Sequence, residues 1–386
     1  MLKYFADKRN MKILVDSAMP NAMEVFSPYG EVVLKPGRDI AGDDLKDIDA
    51  LMIRSVTKVD RELLAHAAKL RFIGTATAGC DHVDEELLKQ LKIGFASAPG
   101  ANKESVGDYI LSVLLVFAQR YDLKLDGMSI GVVGCGNTGS EVIKKAHALN
   151  MRVVKRDPPL FAAGQKEYGA SLEECLNCDF TTFHVPLIKE GKYKTYHLID
   201  ESALKTKIGK GFLINASRGP VLDNKALLTL FEKGEKLRVW LDVFEGEPDI
   251  SYKKLIPFLE GATAHIAGYS YESKRRAAYM LAVSMCKYLN IPLKSSFIVP
   301  LPEFSELDIG RIDSLDRDLI SRLVFSIYDV RRDSYLFKNR CVDGKSFDAL
   351  RKNYRERREL SSLTLQNVPI EYKETLKGLG FSLSGD

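Results

Sequence analysis

Three polar side chains, Arg218, Glu247 and His265, close successive apolar runs in the second half of the chain: INASRGPVLDN, LDVFEGEP and TAHIAGY. As neighbouring parallel strands, these runs would point their C-terminal ends into one crevice, where open α/β sheets bind ligands. A guanidinium, a carboxylate and an imidazole together suit the oxidation of a hydroxy acid, in which a proton leaves the hydroxyl oxygen and a hydride leaves its carbon. His265 would take the proton, because an unperturbed imidazole titrates near neutrality. Glu247 on the far ring nitrogen would fix the tautomer and stabilise the imidazolium. Arg218, always charged, would hold a carboxylate and the charge on the C2 oxygen. Singly, each has a plainer reading: a core histidine in an apolar strand, a turn carboxylate before Pro248, an arginine capping a loop.

Upstream, GVVGCGNTGS sets Gly134, Gly136 and Gly139 in a G-x-G-x-x-G that follows the apolar run MSIGVV and opens a helical pattern. The first glycine permits a tight turn, the second lets a pyrophosphate approach the backbone, and the third lets helix and strand pack closely. The next apolar run, RVVKRDP, ends in Asp157. A carboxylate there accepts from the adenosine ribose hydroxyls and repels a 2′-phosphate, so the spacing predicts NAD rather than NADP. Arg156 beside it is the one residue suited to a 2′-phosphate.

The elements that must position these groups follow from alternation. In the first half KILVD, EVVLKP, ALMIRS, RFIGTAT and IGFASAP alternate with helical stretches such as DRELLAHAA and DEELLKQL. Such spacing means βαβ units and a parallel sheet. A helix from about Lys103 to Tyr121, apolar nearly all round, must be buried between layers and would suit a connector between lobes. A second series runs from MSIGVVG through RVVKRDP, FTTFHVPL, GFLINAS and RVWLDVF to ATAHIAG, and ESKRRAAYMLAVSMCKYLN reads as a further helix ending at Ile291-Pro292. From about Pro300 the pattern becomes a more charged α/β segment.

The local sequences around the trio resemble the D-2-hydroxyacid dehydrogenase family: N-A-S-R-G-P-V-L-D its arginine motif, L-D-V-F-E-G-E-P its glutamate motif, H-I-A-G its histidine segment, and F-H-V-P-L a strand-end segment. The fold class is therefore α/β, with two doubly wound parallel-sheet (Rossmann-like) lobes plus a smaller C-terminal α/β domain. The resemblance implies a substrate-binding domain over 11–104, rejoined by a return helix over about 280–298, an NAD-binding domain over 105–279, and a dimerisation domain over 300–386. It also implies that backbone amides around Ala78 and Gly79 bind the substrate carboxylate. Asp242 would contact the nicotinamide carboxamide, and Ala216, Ser217 and Arg218 would line the cofactor. RSVTKV, TATAGCDHVD, YKTYHL, HIAGYS and FDALRKNYRERRELSSL resemble a member acting on a phosphorylated acid, from Met11 almost to the C-terminus. Carried over, Ser55, Thr77 and Tyr269 contact substrate and Gly268 contacts cofactor. Two residues depart from the family: Val185, where a threonine hydroxyl would meet NAD, leaves only a backbone contact, and Ala264 replaces a proline before His265.

The phosphate of such a substrate needs cations, and Arg54 and Lys58 at the end of a first-lobe strand are candidates, with exposed surface charge as the alternative. RKNYRERR, 351–358, interleaves basic residues with Tyr354 but also carries Glu356, with Glu359 just beyond, so ion pairs on a solvated or dimer-facing helix are favoured over nucleic acid. Leu323, Phe325, Ile327 and Tyr328 cluster and need a covering surface, which a second copy would supply. A homodimer is expected, and a chain cut after about Pro300 is expected to be a monomer or to aggregate, with the NAD lobe still folded. The net charge of +4 over 386 residues gives no polyanion-binding surface. No apolar run approaches a membrane span, the N-terminus MLKYFADKRN is not a secretory signal, and the first ten residues read as a loose extension or an upstream start. Six scattered cysteines suit a reducing cytoplasm, and Cys175 and Cys178 read as buried thiols, not half a metal site. Trp240, His66, His82, His147 and His197 receive no role. Two other functions stay open: oxidation of a related acid such as 3-phosphoglycerate, and an NAD(H)-sensing regulatory protein on the same scaffold.

Overall fold

The structure, a computed structural model, describes residues 11–385, so the ten residues expected to form an extension lie outside it. The chain forms two compact units: residues up to 102 together with 272–300, and residues 103–271 together with those from 301 onward.

In the first unit the apolar runs become β1 (Met11–Asp16), β2 (Gly30–Lys35), β3 (Ala50–Ile53), β4 (Phe72–Thr75) and β5 (Gly94–Ser97). They form a parallel sheet in the order β2-β1-β3-β4-β5. Strands β3 and β4 are buried along their whole length, which is why they read as continuous apolar runs instead of alternating ones. The helix Glu85–Gln90 starts where Asp84 accepts the Leu87 N–H. The helix expected over DRELLAHAA is only a 3-10 turn, Leu63–His66. Asp60 Oδ1 accepts the Glu62 and Leu63 N–H groups and starts one turn, and β4 begins too soon afterwards for a second. The return helix runs Tyr271–Leu289, earlier than 280–298. Pro292 cannot continue it, and residues 290–300 have no regular structure. Its Ala278, Leu281, Ala282 and Met285 bury against the sheet.

In the second unit β6 (Ser129–Val133), β7 (Arg152–Arg156), β8 (Phe180–Phe183), β9 (Phe212–Asn215), β10 (Val239–Leu241) and β11 (Gly261–Ala262) form a six-stranded sheet, in the order β11-β10-β9-β8-β6-β7. All pairs are parallel. The order reverses between β6 and β8, the switch point at which such sheets open a crevice. The helix Lys103–Arg120 is buried without interruption from Ser105 to Ala118. The sheet covers one side of it, and the C-terminal segment covers another.

That segment carries β12 (Glu306–Asp308), β13 (Thr364–Gln366) and β14 (Ser382–Leu383), a parallel three-stranded sheet in the order β12-β13-β14, and helices Arg317–Ile327, Val330–Arg340, Gly344–Lys352 and Ile370–Leu379. Here one expectation is corrected. The Leu323–Tyr328 cluster already has its cover within the chain. Leu323, Val324 and Tyr328 are buried, and Phe325 and Ile327 half-buried, in the same core as the helix Lys103–Arg120. The segment is also tied to the helix Lys103–Arg120 and to the helix Asn137–Ala148 by buried polar contacts. Lys145, 3% exposed, pairs with Asp108 at 2.8 Å and donates to Leu379 O at 2.6 Å. Asp108 Oδ2 accepts the Leu360 N–H at 2.9 Å. At Gly378 a Cβ would stand 2.7 Å from that of Ala148, so only glycine permits this approach.

Candidate active site

The glycine loop sits at the switch point, between the ends of β6 and β8. Gly134 has φ 87°, a left-handed turn that strongly favours glycine. A Cβ there would lie 2.6 Å from His184 O and 2.8 Å from Val185 Cγ1. At Gly139 it would lie 1.9 Å from Gly134 O, so the helix Asn137–Ala148 meets the strand with no room for a side chain. At Gly136 a Cβ would meet nothing within 4 Å. That open face before a helix N-terminus is the cradle a pyrophosphate needs, and a dinucleotide fits the residues present. Asp157, at the end of β7, accepts the Cys135 N–H at 2.8 Å and the Leu160 N–H at 3.1 Å. It thereby ties the glycine loop to the next helix. Arg156 Nη1 donates to Ala170 O at 3.1 Å. Burial holds His184 neutral, its pKa pushed down to about 3, beside this loop.

The trio follows β9, β10 and β11, which are adjacent in the sheet. After β9, Asn215 shapes the turn: its Oδ1 accepts from the Ser217 N–H and Oγ, and its Nδ2 donates to Arg218 O. Arg218 Nη1 donates to Ser217 O at 2.9 Å. At Gly219 a Cβ would lie 2.0 Å from Phe244 O, so the arginine loop lies directly on the backbone that leads to Glu247. Glu247 Oε1 accepts the Phe244 N–H at 2.7 Å, and Oε2 is 2.7 Å from His265 Nδ1. A carboxylate only accepts, so Nδ1 carries the proton and Nε2 is left as the base. Burial works to raise the Glu247 pKa. The charge and hydrogen bond of His265, the Phe244 N–H and the charge of Arg351 outweigh it and hold it below the ordinary carboxylate value.

His265 is not in a strand, as expected from ATAHIAG. Strand β11 ends at Ala262, and His265 stands in a loop at φ 54°. A side-chain-bearing residue holds that conformation only against restraint, and Asp242 supplies it. Asp242 O accepts the His265 N–H at 2.7 Å, and its wholly buried carboxylate accepts from Thr263 Oγ1, the Ile266 N–H and the Ala267 N–H. Burial raises its pKa above the ordinary value, against the opposing pull of these donors and His265. Behind it runs a buried chain of hydrogen bonds, Trp240 Nε1 to Tyr109 Oη at 2.7 Å, Tyr109 Oη to Thr263 Oγ1 at 2.6 Å and Thr263 Oγ1 to Asp242 at 2.6 Å. Trp240, Tyr109 and Thr263 are functional supports that no motif in the sequence marks.

The other expected residues fall on both units. Ala216 is half-buried and Ser217 buried in the arginine turn. Val185, Gly268 and Tyr269 are half-exposed, and the Tyr269 hydroxyl accepts from Arg351 Nη2 at 2.9 Å. In the first unit, Arg54 and Ser55 follow β3 at that sheet's own order reversal, and Arg54 Nη1 lies 3.4 Å from Ala18 O. Thr77 Oγ1 donates to Gly79 O at 2.7 Å. Lys58, almost wholly solvated, pairs with Asp60 at 2.9 Å, the surface alternative. The RKNYRERR run is not a solvated helix. The helix ends at Lys352, and Arg357, 1% exposed, stacks 3.6 Å from the Tyr328 ring centroid and donates to Ala267 O at 3.0 Å. Glu359, also buried, accepts from Ser270 Oγ. Cys175 and Cys178 are buried, and burial raises both thiol pKa values.

A doubly wound sheet with a glycine loop at its switch point and a bonded His–Glu pair at neighbouring strand ends defines a nucleotide-dependent dehydrogenase. Residues 117–267 match the family described as D-isomer specific 2-hydroxyacid dehydrogenase, NAD binding domain, and residues 298–380 match a domain of unknown function. The erythronate-4-phosphate dehydrogenase of Aeromonas salmonicida is 48% identical over 97% of this chain and 99% of its own length. That of Tolumonas auensis is 43% identical over 97% of this chain and 100% of its own. The NAD-bound 3-phosphoglycerate dehydrogenase of Entamoeba histolytica superposes with a TM-score of 0.61 at 25% identity, covering 75% of this chain and 99% of its own. The chain belongs to the erythronate-4-phosphate dehydrogenases, within the D-2-hydroxyacid dehydrogenase family. It is an oxidoreductase whose cofactor is NAD. None of the described helices is long and apolar enough to cross a membrane.

Proposed function

We propose that the chain oxidises the 2-hydroxyl of erythronate 4-phosphate to the 2-oxo acid, in vitamin B6 biosynthesis. The observation that carries the chemistry is the 2.7 Å bond from His265 to Glu247, which leaves Nε2 as the base. NAD, held by the loop Gly134–Gly139, Asp157 and the residues Val185, Ala216, Ser217, Asp242 and Gly268, supplies the acceptor for the hydride from C2. Asp242, assigned to the cofactor's carboxamide, would meet it with a carboxylate that already accepts three hydrogen bonds. His265 Nε2 takes the hydroxyl proton, and Glu247 stabilises the imidazolium that results. Arg218 holds the substrate carboxylate and the C2 oxygen. Arg54, Ser55 and Thr77 are the substrate contacts assigned to the first unit, and Tyr269 is the one assigned to the second.

The chain acts as a homodimer. In the first unit the stretch 293–298 exposes Leu293, Phe297 and Ile298, which a second copy would cover. Six unpaired cysteines suit a reducing cytoplasm.

NADH formation by the purified chain tests the reading with erythronate 4-phosphate, 3-phosphoglycerate and D-lactate as substrates. The expected result is a kcat/KM for erythronate 4-phosphate at least on the order of tenfold above the others. A preference for 3-phosphoglycerate overturns the substrate, and no NADH from any acid overturns the activity.

A further inference from the structure

The C-terminal segment matches a domain of unknown function, and within the second unit it reaches the loop that carries His265. Most of those contacts are structural. Arg357 donates to Ala267 O, Glu359 accepts from Ser270 Oγ, and Arg357 O accepts the Tyr271 N–H at 2.8 Å. Arg351 differs. Its Nη2 donates to the Tyr269 hydroxyl, and its guanidinium carbon lies 5.6 Å from the Tyr269 ring centroid. Its Nε is buried with no hydrogen-bond partner. Among the described residues it makes no other hydrogen bond, and no carboxylate lies within ion-pair distance. A guanidinium has five N–H donors that want acceptors when buried, and, against burial, Tyr269 and the charges of Glu247 and Asp242 favour the charged form of this one. Its partner Tyr269 stands four residues along the loop from the base, and most of the guanidinium's donors make no hydrogen bond within the described residues.

We propose that Arg351 is a specificity-determining residue: with the Tyr269 hydroxyl it takes the phosphorylated end of the substrate, so that the C-terminal segment reads the second anion. The inference rests on the reading of the chain as an oxidase of a phosphorylated 2-hydroxy acid. Such a substrate carries a carboxylate at one end, assigned to Arg218, and a phosphate at the other. A four-carbon chain with C2 at His265 keeps its phosphate within a few ångströms of that loop. An arginine fork matches phosphate oxygens in a two-pronged bond, and a phenol beside it adds a donor. The charge of Arg351 also acts on Glu247, so loss of the cation through an indirect effect would show in the pH profile and not in substrate choice.

The test compares the full-length protein with Arg351→Met, Arg351→Lys and Tyr269→Phe, using erythronate 4-phosphate and unphosphorylated D-erythronate. Inorganic phosphate serves as an inhibitor and as a calorimetric probe. In Arg351→Met, KM for erythronate 4-phosphate should rise on the order of 100-fold. The kcat/KM for D-erythronate should fall far less than that for erythronate 4-phosphate, and phosphate should no longer bind or inhibit. Arg351→Lys should recover part of the discrimination, and Tyr269→Phe should lose a smaller part of it. The proposal is overturned if Arg351→Met lowers activity on both acids by the same factor, or shifts only the pH profile, or still binds phosphate as the unmodified protein does. Failure of the unmodified protein to oxidise erythronate 4-phosphate would instead overturn the parent reading. Phosphate calorimetry on the two proteins would still decide the role of Arg351.

Discussion

At the scale of single residues the bond between Glu247 and His265 sets the pH response. The folded pKa of Glu247 lies below its ordinary value, so this carboxylate stabilises the fold at neutral pH and loses that contribution only as pH falls through the carboxylate range. Glu247→Gln keeps the shape and removes the charge. The protonated imidazole then lacks its counter-charge and gives up its proton more readily. The expected outcome is a kcat lowered on the order of 100-fold, with the acid limb of the kcat/KM profile moved to lower pH. A variant whose acid limb stays in place, or moves to higher pH, removes Glu247 from this role. His184, held neutral with its pKa pushed down to about 3, contributes nothing to that limb.

At the scale of elements, the site depends on loops laid on one another at strand ends, and glycine makes the approach possible. Gly219→Ala would place a Cβ 2.0 Å from Phe244 O and 2.1 Å from its carbonyl carbon, so one loop must move. The moving loop carries Arg218 or the backbone that donates to Glu247. A shift of about 1 Å in catalytic groups costs on the order of 100-fold, and overpacking costs about 1–3 kcal/mol of stability. The expected variant has a reduced kcat and a lower Tm, with NAD binding weakened less than kcat, because Ala216 and Ser217 move with this loop while the loop Gly134–Gly139 follows a different strand. Titration with NADH fluorescence beside steady-state kinetics checks this, and unchanged kcat would refute it.

At the scale of the molecule, the C-terminal segment and the cofactor sheet share a core. The helix Lys103–Arg120 buries against both, and the Asp108–Lys145 pair, with its partners Leu360 and Leu379, is sealed by the segment. Removing one side would leave Lys145 and Asp108 without those partners and an apolar helix face in water. A chain ending at Pro300 is therefore expected to aggregate and to fail to bind NAD, in contrast to the separable domain that the pattern change near that residue implies. Light scattering and NADH titration on the full-length and shortened chains check both this and the dimer. A shortened chain that binds NADH as a well-behaved monomer refutes the shared core, and a full-length mass of 43.2 kDa refutes the dimer.

The sequence alone determined whatever depends on local chemistry. Alternation of apolar runs fixed the parallel sheets, because a buried strand needs apolar residues on both faces wherever the rest of the chain lies. Gly134, Gly136 and Gly139 announced the dinucleotide loop, because only glycine meets the turn at Gly134 and the close packing at Gly139, while Gly136 leaves the face open for a pyrophosphate. Arg218, Glu247 and His265 were legible because each follows an apolar run in the sequence, although His265 stands in a loop beyond β11. Tertiary structure decided the rest. Asp242 as the restraint on His265, the chain from Trp240 through Tyr109 and Thr263, and the inward turn of Arg351 and Arg357 all join residues far apart in sequence, and no spacing encodes them. The run RKNYRERR carries the composition of a solvated helix. Only the fold places Tyr328, Ile266 and Ala267 where a buried guanidinium can be satisfied, and a charged residue is read as exposed until such partners are brought to it.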